Sequence, residues 1–75
     1  MSTKLSVVVE RDEYGFYAFC PELLGCQTQG DTFEEAMANI REAAELYLET
    51  LDEDAKRACL SHEIINVSME VGVDA

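Results

Sequence analysis

Basic residues are scarce in this chain. Its 75 residues hold five lysines and arginines against sixteen aspartates and glutamates, a formal net charge of −11. A field of that sign repels phosphate backbones, and nucleic-acid binders ordinarily carry a basic patch, so direct nucleic-acid binding is disfavoured. Histidine occurs once, as His62, and proline once, as Pro21. Cysteine occurs three times, as Cys20, Cys26 and Cys59. An odd thiol count, and a start that runs from Met1-Ser2-Thr3-Lys4 straight into a strand pattern, point to free thiols in a reducing cytoplasm. No apolar run approaches the roughly 20 residues of a membrane-spanning helix.

Hydrophobic residues make up 48% of the chain, which suits a folded globule and not a disordered tail. The length allows one domain, residues 1–75, with a thin stability margin that edge pairing or homo-oligomerisation would strengthen. The acid excess would steer basic proteins to this surface. The simpler reading of the same charge is solubility.

Residues 4–10 (KLSVVVE) alternate, with Leu5, Val7 and Val9 on one face, as in a strand with one buried side. Asp12 and Gly15 supply turn chemistry: a side chain that bonds its own backbone, and freedom for positive φ. Residues 16–20 (FYAFC) form a second, aromatic-rich strand, giving a hairpin. Pro21, without a backbone N–H, ends it or lies on an edge, and Gly25 fits a turn. A short third strand over 26–29 completes a meander.

Thr32-Phe33-Glu34-Glu35 matches a capping box, and Asp31, Glu34 and Glu35 complement the helix dipole. Phe33, Met37, Ile40, Ala44, Tyr47 and Leu51 recur at spacings of three and four, flanked by Ala36, Ala43 and Leu48. The helix they predict would span about 28 Å, enough to cover a small sheet. Residues 52–62 either extend this helix or make a separate turn. Residues 63–71 (EIINVSMEV) alternate again, with Ile65, Val67, Met69 and Val71 on one face, and predict a last strand. Residues 72–75 read as a frayed tail. The order βββαβ makes an α+β, two-layer domain.

The run from Asp12 to Cys26, with Gly15-Phe16-Tyr17-Ala18-Phe19-Cys20-Pro21-Glu22-Leu23 at its centre, resembles the hairpin and turn of HicB-family antitoxins. The resemblance continues through Thr28-Gln29-Gly30-Asp31-Thr32-x-Glu34-Glu35-Ala36 to Asn39-Ile40-x-Glu42-Ala43, nearly half the chain. It implies a partial RNase H-like (HicB-like) fold. It also implies direct binding to a HicA-type toxin, a small basic mRNA-cleaving protein with a catalytic histidine. Two departures stand out. Leu24 replaces a proline common in the family. No room remains after the last strand for the C-terminal DNA-binding domain of many members, so a single-domain member without operator binding is expected.

RNase H-like nucleases hold divalent metals with acids clustered on central strands. Here the first strand offers only Glu10, at its end, so no catalytic, metal or cofactor site is expected and the chain reads as a non-enzyme; a residual nuclease is the remote alternative. His62 lacks an evident partner and reads as a solvated linker residue, not a general base or metal ligand. Cys20 and Cys26 have neither the redox nor the paired zinc spacing, and read as buried inert thiols.

The partner-binding candidates are surface groups. Glu42, Glu45 and Glu49 lie opposite the apolar stripe, where they would meet a basic partner or simply stay solvated. Leu46 sits among them as an exposed apolar residue, though single exposed leucines are common. Tyr17 and Phe19 alternate with Phe16, Ala18 and Cys20; one set packs under the helix and the other lies on an open face that invites a partner or a second copy. The expected function is toxin neutralisation by direct binding. The alternative is an orphan structural or regulatory homo-oligomer with no toxin.

Overall fold

Two glycines and one aspartate set the geometry of the first hairpin. In the computed structural model, which describes residues 3–74, β1 (Val8–Asp12) and β2 (Gly15–Phe19) pair antiparallel around the Glu13-Tyr14 loop. The Tyr14 N–H donates to Asp12 Oδ1 (2.8 Å), closing an Asx turn. Gly15 takes φ +134°, and a Cβ there would meet the Gly30 carbonyl oxygen at 2.9 Å, so both the conformation and the space demand glycine. β3 (Gln27–Gly30) pairs antiparallel with β2, giving the sheet order β1-β2-β3.

β1 starts later than the alternation predicts. Strand β2 ends at Phe19, ahead of Pro21, so residues 4–7 have no ladder opposite them. They still run beside the core, where Leu5 and Val7 pack half-buried. The Ser6 N–H donates to Glu22 Oε2 (2.9 Å), which ties this segment to the loop after β2.

The capping box forms, with one change. Thr32 Oγ1 accepts from the Glu35 N–H (3.0 Å) and starts α1 (Phe33–Glu49). The Glu35 carboxylate reaches past the cap residue to the N–H of Asp31 (3.3 Å). Thr32→Ala is expected to cost about 1 kcal/mol of stability, read from urea unfolding midpoints; an unchanged midpoint would show that the cap contributes nothing.

α1 lies across β2 and β3 and makes the second layer. Its stripe Ala36, Ile40 and Ala44 meets Ala18 and Cys20 from the sheet and Leu23 and Cys26 from the loop. Met37, Ala43, Tyr47 and Leu48 flank this core half-buried. Phe33 at the helix start stays partly exposed and meets Phe16 edge-on at 6.5 Å. Asn39 Nδ2 donates to the Gln29 carbonyl (2.9 Å) and fixes the helix over β3.

Residues 52–62 form a separate helix, not an extension. Thr50 ends α1, and Asp52 caps α2 (Glu53–Leu60) by accepting the Ala55 N–H at 2.7 Å. The predicted last strand does not form. Residues 62–74 form neither strand nor helix, and Ile65, Val67, Met69 and Val71 are all exposed. A strand needs a neighbour for its backbone groups, and none of the residues after Cys59 packs against the core. The fold is α+β in two layers, with the order βββαα in place of βββαβ. Readings at Met1, Ser2 and Ala75 lie outside the described residues.

Candidate protein-binding surface

Strand alternation and the helix decide which side chains of β2 are free. Phe16, Ala18 and Cys20 turn toward α1, so Tyr17 and Phe19 occupy the opposite, uncovered face of the sheet. Their rings lie 5.7 Å apart. The register sets Glu10 and Gln29 beside Tyr17, and Val8 and Gln27 beside Phe19. Tyr17 Oη is 2.7 Å from Gln27 Oε1 and donates to it. The result is an aromatic pair with a polar, acid-containing margin, the composition of an interface centre.

The loop 21–25 extends that surface. Three backbone bonds hold it: Cys20 N–H to the Cys26 carbonyl (3.1 Å), Leu23 N–H to the Cys20 carbonyl (3.0 Å), and Cys26 N–H to the Leu23 carbonyl (2.9 Å). Gly25 turns the chain at φ +81°. Leu23 plugs the core at 1% exposure, which forces its neighbour Leu24 outward at 90%. Leu24, Pro21, Phe19, Tyr17, Glu10 and Gln27 line one open groove of about 340 Å³. The sequence shows two adjacent leucines and no way to choose between them, so Leu24 was not among the expected contact residues.

Glu42, Leu46 and Glu49 lie on the solvent side of α1, on the other face of the molecule from Tyr17 and Phe19. Glu45 sits at the margin of a different groove, between α1 and the segment before β1. The six expected contact residues therefore do not make one patch. The aromatic pair lies beside Leu24; Glu42 and Glu49 with Leu46 form a separate solvated stripe, and Glu45 borders the groove beside Leu5 and Val7.

The thiols are buried at the base of the loop. Cys20 has its pKa raised to about 11 by burial, then by the charge and hydrogen bond of Cys26 and the charge of Glu22. It stays a protonated thiol near neutrality, which makes it a poor nucleophile. Because the folded pKa lies above the ordinary thiol value of 9.0, the stability linked to this proton is present below about pH 9 and lost as pH rises toward about 11. In native protein, iodoacetamide is expected to label half-buried Cys59 well before Cys20; equal rates, followed by mass spectrometry, would contradict this.

Among the described residues, no three of His, Cys, Asp and Glu gather as a metal site, and His62 is exposed at the end of α2. No described helix is long and apolar enough to cross a membrane.

Comparison with known proteins supplies the deciding observation: residues 5–72 match the HicB-like antitoxin of bacterial toxin–antitoxin systems. The chain belongs to the HicB-like antitoxin family. A UPF0150 protein of Helicobacter pylori is 52% identical over 50 residues, covering 67% of this chain and 69% of its own. One from Synechocystis is 57% identical over 47 residues, 61% of this chain and 60% of its own. Another from Archaeoglobus fulgidus is 47% identical over 47 residues, 61% of this chain and 68% of its own. No solved structure matches. Membership of the HicB-like family favours an antitoxin role and a non-enzymatic one.

Proposed function

We propose that this HicB-like domain neutralises a small basic, RNA-cleaving toxin of the HicA type by binding it directly through the open sheet face. The observation that carries the reading is the uncovered Tyr17–Phe19 pair with Leu24 beside it, on a chain of net charge −11. Aromatic anchors that lose water on binding dominate protein interfaces, and a projecting leucine adds apolar area. The charge excess speeds encounter with a basic partner and disfavours RNA itself. Occlusion of the toxin's RNA surface is then sufficient for inhibition, and no chemistry is required of the antitoxin.

The test pairs this chain with a HicA-type toxin encoded beside it. Co-expression is expected to restore growth, and the purified chain to stop RNA cleavage at stoichiometric amounts. Association is expected to slow as salt is raised, because long-range steering is screened. Undiminished cleavage at a molar excess of this chain overturns the reading.

A specific observation also favours the homo-oligomer: the apolar, alternating and unpaired segment after α2.

A further inference from the structure

Residues 63–71 have the sequence of a strand and the exposure of an arm. Ile65, Val67, Met69 and Val71 share one face and are 73%, 75%, 81% and 67% exposed. The last hydrogen bond of the preceding helix is from the His62 N–H to the Cys59 carbonyl, and residues 62–74 are exposed throughout. The arm also shapes the molecule. The radius of gyration is 14.7 Å and the longest extent 50 Å, against roughly 11 Å for a compact domain of this length. An exposed apolar strand of this kind is an unmet pairing demand.

The same chain carries a matching vacancy. β1 is an edge strand, paired on one side only. The helix packs over β2 and β3, which leaves the flank of β1 open. There Leu5, Val7 and Cys20 from the sheet side face Met37, Ala44 and Leu48 from α1 across a groove of about 390 Å³. Leu5, Val7 and Val9 all turn to this helix side. A strand added beside β1 would set every second side chain into that groove, and the period of two in residues 63–71 supplies four of them. The receiving edge is β1, five residues, continued by the segment 4–7 that runs beside the core and carries Leu5 and Val7 at the groove. The other edge, β3, is four residues with the polar sequence QTQG and lies beneath the helix.

We propose that residues 63–71 of one copy add as a strand to the β1 edge of a second copy, and that the exchange is reciprocal, giving a two-fold dimer. The occupant is a second copy because every chain carries both an exposed alternating segment that packs on none of its own core and an open apolar groove beside Leu5 and Val7. Reciprocal exchange then satisfies both arms and both edges at once, with no strand left over to propagate. The outward set Ile64, Asn66, Ser68 and Glu70 would extend the open sheet face next to Val8 and Glu10.

The test needs no toxin, so its failure is separate from any failure of the antitoxin reading. Light scattering on the full chain at micromolar concentration is expected to give twice the chain mass. In the double variant Val67→Asp, Met69→Asp, which touches no residue of the chain's own core, the mass is expected to fall by half with the far-UV circular dichroism of α1 retained. A half-labelled, half-unlabelled sample is expected to show intermolecular NOEs from Val67 and Met69 to Leu5, Val7 or Leu48. A monomeric full chain overturns the proposal, as does a dimer that the double variant leaves intact. A monomer in which the amides of residues 63–71 exchange slowly also overturns it, since the strand would then close on its own sheet.

Discussion

Truncating Tyr17 to alanine is expected to weaken toxin binding by about 2 kcal/mol or more, roughly thirtyfold in Kd. Tyr17 lies at the middle of the uncovered sheet face, between Phe19 and the polar residues Glu10 and Gln29. A bound partner would bury it, and alanine would leave a hollow where the ring had been. The fold should tolerate the change, because the ring turns away from Ala18, Cys20 and Ile40. Leu24→Asp is expected to be comparably damaging, since it sets a charge at the centre of the apolar contact. The contrast is Leu46→Ala on the solvent side of α1, expected to change affinity only marginally. Calorimetric titration of each variant against the toxin separates the two faces. If Leu46→Ala costs more than Tyr17→Ala, the binding surface is the helix stripe with Glu42 and Glu49.

Ile40→Ala is expected to destabilise the domain by about 2–5 kcal/mol. Ile40 is 1% exposed and is one of the two largest fully buried side chains among the described residues; the other is Leu23. Its neighbours Ala18, Ala36 and Ala44 are small and cannot fill the space; Met37 and Leu48 border the same groove and set how much of the gap is recovered. A chain of this length has roughly 4–11 kcal/mol in all. The variant should therefore unfold at a much lower urea concentration, and part of it should be unfolded near body temperature. A loss under about 1 kcal/mol would show that the core collapses around the gap, contrary to the packing described.

The elements that local chemistry specifies were legible in the sequence. Asp12 and Gly15 announce the first turn because their side-chain bond and positive φ act within a few residues. Thr32 and Glu35 announce the start of α1 for the same reason, and the spacing of three and four gives Ile40 and Ala44 of its buried face, while Phe33 stays exposed, Leu51 lies beyond the helix and the flanking Ala36 is buried instead. What failed depended on something beyond the segment. The true start of β1 follows from where β2 ends, and Pro21 decides that. The alternation in residues 63–71 is real, yet alternation sets only which side chains share a face; a strand also needs a neighbouring backbone. The six surface candidates were individually exposed or half-exposed as expected, but only the packing of α1 on one side of the sheet shows that Tyr17 and Glu42 lie on opposite faces. Leu24 was hidden because its exposure follows from the burial of Leu23.

Neutralisation by direct binding is decided by gel filtration of this chain mixed with a candidate HicA-type toxin, with an RNA-cleavage assay on the same fractions. One stoichiometric complex that elutes apart from both components and has lost cleavage activity is expected, and the Tyr17→Ala mixture is expected to leave more free, active toxin than the wild-type mixture. Separate elution of the wild-type proteins, with the toxin fully active, would contradict it.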